Sequence, residues 1–339
     1  MALPFLTQAR APLTCEIETV NEQGDSSSIS IPAERPLTVY VDKRELVTLM
    51  TLGARPEWLV LGYLRNQRLV RCVDEVESIS VDWDVGVAAV KTRSGIKRLK
   101  ERTARRIVTT GCGQGSVFGG LMDEIESIHL PPASITQAQL YGVLNAIRMQ
   151  ESTYKSAGSV HGCALFRGDE MQLFVEDVGR HNAIDTIAGW MWLQPEKVAP
   201  TLAAGAAALP PEGALAPKGG LSARDGAPTL AAGAAALPPK GALAPKGGLS
   251  ALEASASDAP PVFYTTGRLT SEMIIKSAQM GVPIVVSRSG ITQMGHEIAQ
   301  RLDLCAIGRA TNKHFLCYRA PHRLQLQPEL AGSRLRVAA

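Results

Sequence analysis

Apolar and polar residues alternate from Pro36 to Lys43 (PLTVYVDK), which predicts a half-buried strand closing on a turn at Asp42-Lys43. Pro56-Glu57 then opens a helix whose apolar positions Trp58, Leu61 and Leu64 recur at helical spacing. Ile79–Trp83 and Val85–Lys91 read as two further strands. Together they predict a small α+β domain over residues 34–105, preceded by a polar tail over 1–33. A second pattern begins with a strand at Arg106–Thr110, followed by a helix at Thr136–Gln150 with Gln137–Gln139 in its first turn. Next come a hairpin (Val160–Phe166, a turn at Arg167–Glu170, Met171–Glu176), a loop at Asp177–His181 and a helix from Asn182. That helix aligns Ile184, Ile187 and Trp190 or Met191 on one face.

The last part of the chain is the most regular. Val262–Thr266, Ile284–Ser287 and Leu304–Ile307 are short apolar strands. Between them run helices capped by Thr270, ending at Met280 before Gly281, and by Thr292, ending at Leu302. Strand–helix–strand–helix–strand with short links predicts an α/β class with parallel strands and right-handed crossovers. The main domain is expected at 106–198 and 262–325, with a tail at 326–339.

An insertion divides that domain. Ala199–Ala223 reads APTLAAGAAALPPEGALAPKGGLSA, and Ala227–Ala251 repeats it with Lys240 in place of Glu212. The unit has no aromatic or β-branched core to stack, and its Pro-Pro pairs interrupt helices, so 199–261 is expected to be a disordered surface insertion. With 45% hydrophobic and 20% charged residues, the chain as a whole has globular composition, and its net charge of +3 does not by itself point to nucleic acid or an anionic membrane. Neither a secretory signal nor an apolar run long enough for a membrane span is present, which predicts a soluble protein. The six cysteines include no Cys-x-x-Cys pair, which argues against zinc knuckles and fits a reducing compartment.

Parallel strands present ligands at their carboxyl ends. Here those ends read Gly267-Arg268, Arg288-Ser289-Gly290 and Gly308-Arg309, so three strands deliver an arginine to one rim. Guanidinium groups stay charged and offer several donors in a fixed fork, which suits phosphate. Arg180-His181 can join this rim, and Lys313 and His314 extend its last arm. The competing reading is a solvated arginine surface. Cys112 stands in the loop Gly111-Cys112-Gly113-Gln114-Gly115-Ser116, where small neighbours leave a thiol reachable and backbone N–H groups favour a thiolate or persulfide. A small buried residue in a tight turn is the alternative. Cys72, Cys163, Cys305 and Cys317 lie in apolar stretches and are expected in the core. His161 has no Glu two residues on and no Pro-Cys-x-x-Cys partner, so zinc is not expected.

At these residues the sequence resembles the formate dehydrogenase accessory sulfurtransferase family. The resemblance rests on Glu34–Leu49, Trp58–Arg65, the Cys112 loop, Ser159-Val160-His161 and its hairpin. It is strongest at VEDVGRHNAID (Val175–Asp185) and TTGRLTSEMIIKSAQMGVPIVVSRSGIT (Thr265–Thr292). It implies a cytidine-deaminase-like three-layer main domain without zinc, beside the smaller α+β domain. It also implies a cytoplasmic persulfide carrier that takes sulfur from a cysteine desulfurase. The recipient would be the molybdenum bis(molybdopterin guanine dinucleotide) cofactor of a formate dehydrogenase, with GDP as a mimic. Cys112 matches the family's persulfide cysteine, and Arg309, Ala310, Thr311, Asn312, Lys313 and His314 fall where the family contacts the guanine dinucleotide. Many members carry a second cysteine three residues on; Gly115 stands there, which leaves a single-cysteine carrier. The resemblance is compatible with a homodimer. A cofactor-binding chaperone without sulfur transfer and a nucleotide deaminase are the alternatives.

Overall fold

The computed structural model describes residues 3–96, 107–108, 115–116, 125–196 and 259–330. The small domain is built on a five-stranded sheet. Its strands are β1 (Phe5–Leu6), β4 (Arg35–Val41), β5 (Arg44–Thr51), β6 (Val76–Asp82) and β7 (Val87–Thr92), in the order β1-β6-β7-β4-β5. Between β1 and β4 the chain forms an antiparallel hairpin, β2 (Thr14–Val20) with β3 (Ser26–Pro32). Residues 1–33, expected as a tail, therefore hold three strands. The serine-rich β3 carries no apolar alternation because neither of its faces is fully buried. Asp42 and Lys43 both adopt positive φ (47° and 69°), the geometry of a two-residue hairpin turn joining β4 to β5.

Helix α1 (Pro56–Asn66) begins with proline in its first turn and is buried on nearly every side. One face packs on the small sheet through Leu59, Val60, Tyr63 and Leu64. The other crosses helix α4 (Arg180–Leu193) of the main domain at Gly62 and Gly189. A Cβ on Gly62 would sit 1.6 Å from the Asp185 carbonyl oxygen, and one on Gly189 would sit 2.0 Å from that of Trp58. The two backbones approach this closely only because both positions are glycine.

The chain then forms a short antiparallel pair, β8 (Ile107–Val108) with β9 (Gly115–Ser116). Cys112 falls between them and lies outside the described residues, as does the 199–258 part of the insertion. Strand β10 (Ile135–Thr136) leads into α2 (Gln137–Met149), which Thr136 caps in a reciprocal capping box with Gln139. The short α3 (Thr153–Ala157) follows.

The main sheet has six strands: β11 (His161–Arg167), β12 (Glu170–Asp177), β13 (Pro261–Thr265), β14 (Ile284–Ser287), β15 (Cys305–Thr311) and β16 (His314–Arg319). Their order is β12-β11-β13-β14-β15-β16. β13, β14 and β15 are mutually parallel; β11 runs against β12 and β13, and β16 runs against β15. Side chains alternate between two cores. Phe263, Val285 and Ala306 face α4, α5 (Ser271–Gln279) and α6 (Gln293–Arg301). Val262, Tyr264, Ile284, Val286, Cys305 and Ile307 face α2. The predicted β13–α5–β14–α6–β15 series is present at nearly the expected bounds. The last strand, expected to end at Ile307, runs on to Thr311, and the arm beyond it is a turn followed by β16. At the end of the main domain β17 (Leu324–Gln325) pairs with β10, and in the tail that follows the Gln327 side chain accepts from the Ala138 N–H on α2 at 3.0 Å.

Candidate functional site at the strand-end rim

β13, β14 and β15 all point their carboxyl ends to one edge of the sheet. Because β11 is antiparallel to them, it starts at that edge, and β12 ends there. The topology thus gathers His161, the Asp177–Arg180 turn, Gly267-Arg268, Ser287–Ser289 and Gly308-Arg309. Backbone bonds stitch the loops sideways: the Arg288 N–H donates to Thr265 O (3.0 Å), Leu269 to Gly290 O (2.9 Å) and Arg309 to Ser289 O (2.8 Å). Side chains tighten the same strip. Ser287 Oγ donates to Gly267 O at 2.7 Å, Ser289 Oγ to Thr266 O at 3.0 Å, and Thr266 Oγ1 accepts from the Gly162 N–H at 3.1 Å.

Arg268, Arg288 and Arg309 have exposed side chains on these three adjacent ends, as the sequence predicted. Arg309 holds φ at +49°, within a bulge that breaks the β15–β16 register. Arg180 is buried and lies against Gly267, where a Cβ would meet the arginine Cδ at 2.8 Å. Burial, then the positive charges of Arg180 and Arg268, pull His161 below its ordinary range, so its imidazole is neutral at neutral pH. The cationic neighbours that lower it also disfavour a metal ion at this histidine. The Arg288 charge reaches Tyr264, whose phenol burial nevertheless pushes up to about 12.

Six expected site residues are elsewhere, two of them in the core. His181 turns from the rim into the core, with Nε2 3.4 Å from Glu272, because the next residue along a helix points roughly 100° away. Burial drives its pKa down to about 3, against the pull of Glu272, so it is neutral. Ala310 is 1% exposed and packs in the α2-side core. Thr311, Asn312, Lys313 and His314 are exposed at the β15–β16 tip, beyond the rim; the Lys313 carbonyl accepts from Tyr141 Oη at 3.1 Å. Cys163 and Cys305 are buried as expected, whereas Cys72 and Cys317 are only partly covered.

Beneath the rim lies a buried polar network that sequence spacing did not reveal. Lys276 Nζ donates to Asp185 Oδ2 at 2.8 Å and lies 3.5 Å from Glu272 Oε1; Asn66 Nδ2 of α1 donates to Asp185 Oδ1 at 2.7 Å. Burial lowers the Lys276 pKa, but the two carboxylates outweigh it and the net shift is upward, so the ammonium is retained. Asp177 forms a second link between the domains. It accepts from Thr51 Oγ1 and the Leu52 N–H at the end of β5, and from Gly179 N–H and Asn182 Nδ2 on its own side. Burial raises it to about 6 in spite of these bonds. The one available signal was Glu272 and Lys276, an i,i+4 pair flanking the apolar run Met273-Ile274-Ile275.

A family model described as the FdhD/NarQ family matches residues 32–205 and 248–325, leaving most of the repeat unmatched. Proteins named "Sulfur carrier protein FdhD" are similar along most of the chain. The one from Bacillus subtilis is 24% identical over 307 residues, covering 90% of this chain and 94% of its own. That of Bacillus licheniformis is 26% identical over 294 residues, covering 86% and 89%. A crystal structure described as a formate dehydrogenase accessory protein, from Desulfotalea psychrophila, superposes with a TM-score of 0.59 at 20% identity. It covers 92% of this chain and 100% of that one, and it supports the fold.

Proposed function

This chain belongs to the FdhD/NarQ family, and on that premise we propose that it is a cytoplasmic sulfur carrier serving formate dehydrogenase. In this reading, Cys112 takes sulfane sulfur from a cysteine desulfurase. The recipient is a bis(molybdopterin guanine dinucleotide) cofactor, a client held through its phosphates at the arginine rim. The observation that carries the binding half is geometric. Arg268, Arg288 and Arg309 project from three adjacent parallel strand ends, with Arg180 packed behind Gly267. Such a strip offers fixed, permanently charged donors to a row of phosphate oxygens. The chain's own residues bind and orient the client; neutral His161 can donate or accept a hydrogen bond there without adding charge. The six-strand order, with a hairpin followed by three parallel strands, supports the finer view of the main domain as deaminase-like. The small domain and α1 buttress the turn that positions Arg180.

The sulfur-carrying half rests on Cys112, on the family and on the names its relatives bear. A thiolate can attack the donor persulfide and hold the transferred sulfur as a new persulfide; a serine hydroxyl can do neither. The test combines two measurements. Peptide mass analysis after incubation with a cysteine desulfurase and cysteine should place the added sulfur on Cys112, and Cys112→Ser should fail to activate formate dehydrogenase. Calorimetry with GDP should show Arg268→Ala and Arg288→Ala each losing on the order of 1.5–3 kcal/mol of binding. Full client activation by Cys112→Ser, with normal loss of GDP binding in the arginine variants, would leave a cofactor chaperone that transfers no sulfur. Unchanged GDP affinity in both arginine variants would remove the rim from the proposal.

A further inference from the structure

Cys305 and Cys317 stand on neighbouring antiparallel strands, β15 and β16. The register pairs Ala306 with Arg319 and Ile307 with Cys317, so a bulge at Tyr318 draws Cys317 diagonally toward Cys305. Both side chains belong to the same core, on the face covered by α2. Cys305 is fully buried, while Cys317 is only partly covered and donates to Arg319 O at 3.3 Å. The register therefore sets the two thiols on one face of the sheet, a single residue pair apart along the hairpin. Each is the largest influence on the other, drawing Cys317 below the ordinary thiol range and pushing Cys305 above it. Cys163 differs: it bonds to Thr265 Oγ1, and burial pushes it up to about 12. The ingredients of a nucleophile with a resolving partner are thus a partly accessible, more acidic thiol and a second, buried thiol on the same face of the neighbouring strand.

We propose that Cys317 and Cys305 form an oxidisable dithiol, in which Cys317 reacts with a hydroperoxide and Cys305 resolves it as a disulfide tying β15 to β16. The Cys317 thiolate attacks one peroxide oxygen, the O–O bond breaks, and the departing oxygen takes a proton to leave as water or an alcohol. Cys317 is then a sulfenic acid. The Cys305 sulfur attacks the Cys317 sulfur, the S–O bond breaks, and hydroxide leaves with the Cys305 proton as water. Two thiols have lost two electrons and two protons, and the peroxide has accepted them. The bond falls between the root and the tip of the hairpin that carries Arg309 and residues 311–314. It involves neither Cys112 nor the sulfur-carrier reading.

The experiment uses the full chain, reduced and then treated with a small excess of hydrogen peroxide before free thiols are blocked with N-ethylmaleimide. Trypsin cuts at Arg301, Arg309, Lys313 and Arg319, so the two cysteines fall in separate peptides, 302–309 and 314–319. The expected product is these two peptides joined, two hydrogens lighter than their sum, with Cys163 unmodified until the protein is unfolded. Cys305→Ser should accumulate a dimedone-trappable sulfenic acid on Cys317, and Cys317→Ser should leave Cys305 reduced. The wild-type cross-link stands as a readout even where a serine variant fails to fold. Recovery of both cysteines as maleimide adducts, or a disulfide joining Cys317 to any other cysteine, would overturn the proposal.

Discussion

Replacing Lys276 with methionine keeps most of the side-chain volume and removes one charge from a place where water cannot substitute for it. The ammonium is 1% exposed, 2.8 Å from Asp185 and 3.5 Å from Glu272, which are themselves almost wholly buried. In the variant those two carboxylates lose the ammonium between them, while Asn66 still donates to Asp185 and neutral His181 still lies beside Glu272. Leaving buried charge without its partner costs about 3–5 kcal/mol, well above the ~1 kcal/mol of an exposed pair. The loss should depend on pH in a definite direction. Without Lys276 the folded-state pKa values of the carboxylates rise, so the folded protein holds protons that the unfolded chain releases. Stability contributed by protonation is present below the unfolded carboxylate range, about 4, and is lost as pH rises through the elevated values. Urea melts at pH 5 and pH 7 should therefore show a larger deficit at pH 7. Because Asp185 lies where α4 meets α1, the proposed binding of GDP at the rim should weaken as the Arg180 turn loosens. A deficit below about 1 kcal/mol at pH 7, or equal deficits at both pH values, would refute the account of Lys276 as the compensating charge.

Three further outcomes are expected. Asp177 titrates near 6 when folded against 3.8 as its ordinary value, which corresponds to about 3 kcal/mol. Relative to Asp177→Asn, the wild type should lose about that much stability as pH rises from near 4 to above 6; parallel stability profiles would contradict it. Gly62→Ala should cost about 3 kcal/mol, since the added methyl would meet the Asp185 carbonyl oxygen; an unchanged melting temperature would show that the helices can part. Deleting 199–258 should leave the melting temperature nearly unchanged. Residues Ala259 and Pro260 are kept because their carbonyls accept from Arg167 Nη1 (3.0 Å) and the Gly168 N–H (2.9 Å). Loss of soluble protein would show that the repeat supports the body.

The parallel strands were legible because each is a short, mostly apolar run closing on a turn that holds a glycine and an arginine, a pattern consistent with central strands buried on both faces. The arginine rim followed from that topology alone. The β15–β16 hairpin was hidden by the bulge at Arg309, which breaks the two-residue period, and by an exposed tip that reads as loop. The β2–β3 hairpin was hidden because neither of its faces enters a core. His181 was misplaced for a different reason: a sequence shows that a residue begins a helix, but not which way its side chain turns. The Lys276–Asp185 contact joins residues 91 apart, so local spacing cannot announce it, and an i,i+4 Glu–Lys pair ordinarily marks a wet helix face.

The chain leaves the rim at Arg180, and α4 carries it about 20 Å away before Leu193. β13 then starts at Pro261, at the far margin of the sheet, and returns to the rim at Thr265. The ends that bracket the duplicated segment are therefore on the side of the molecule opposite the arginines. Chain added between those ends interrupts no strand or helix among the described residues. The same position offers a splice point for a fluorescent reporter, attached on the side away from the strand-end rim.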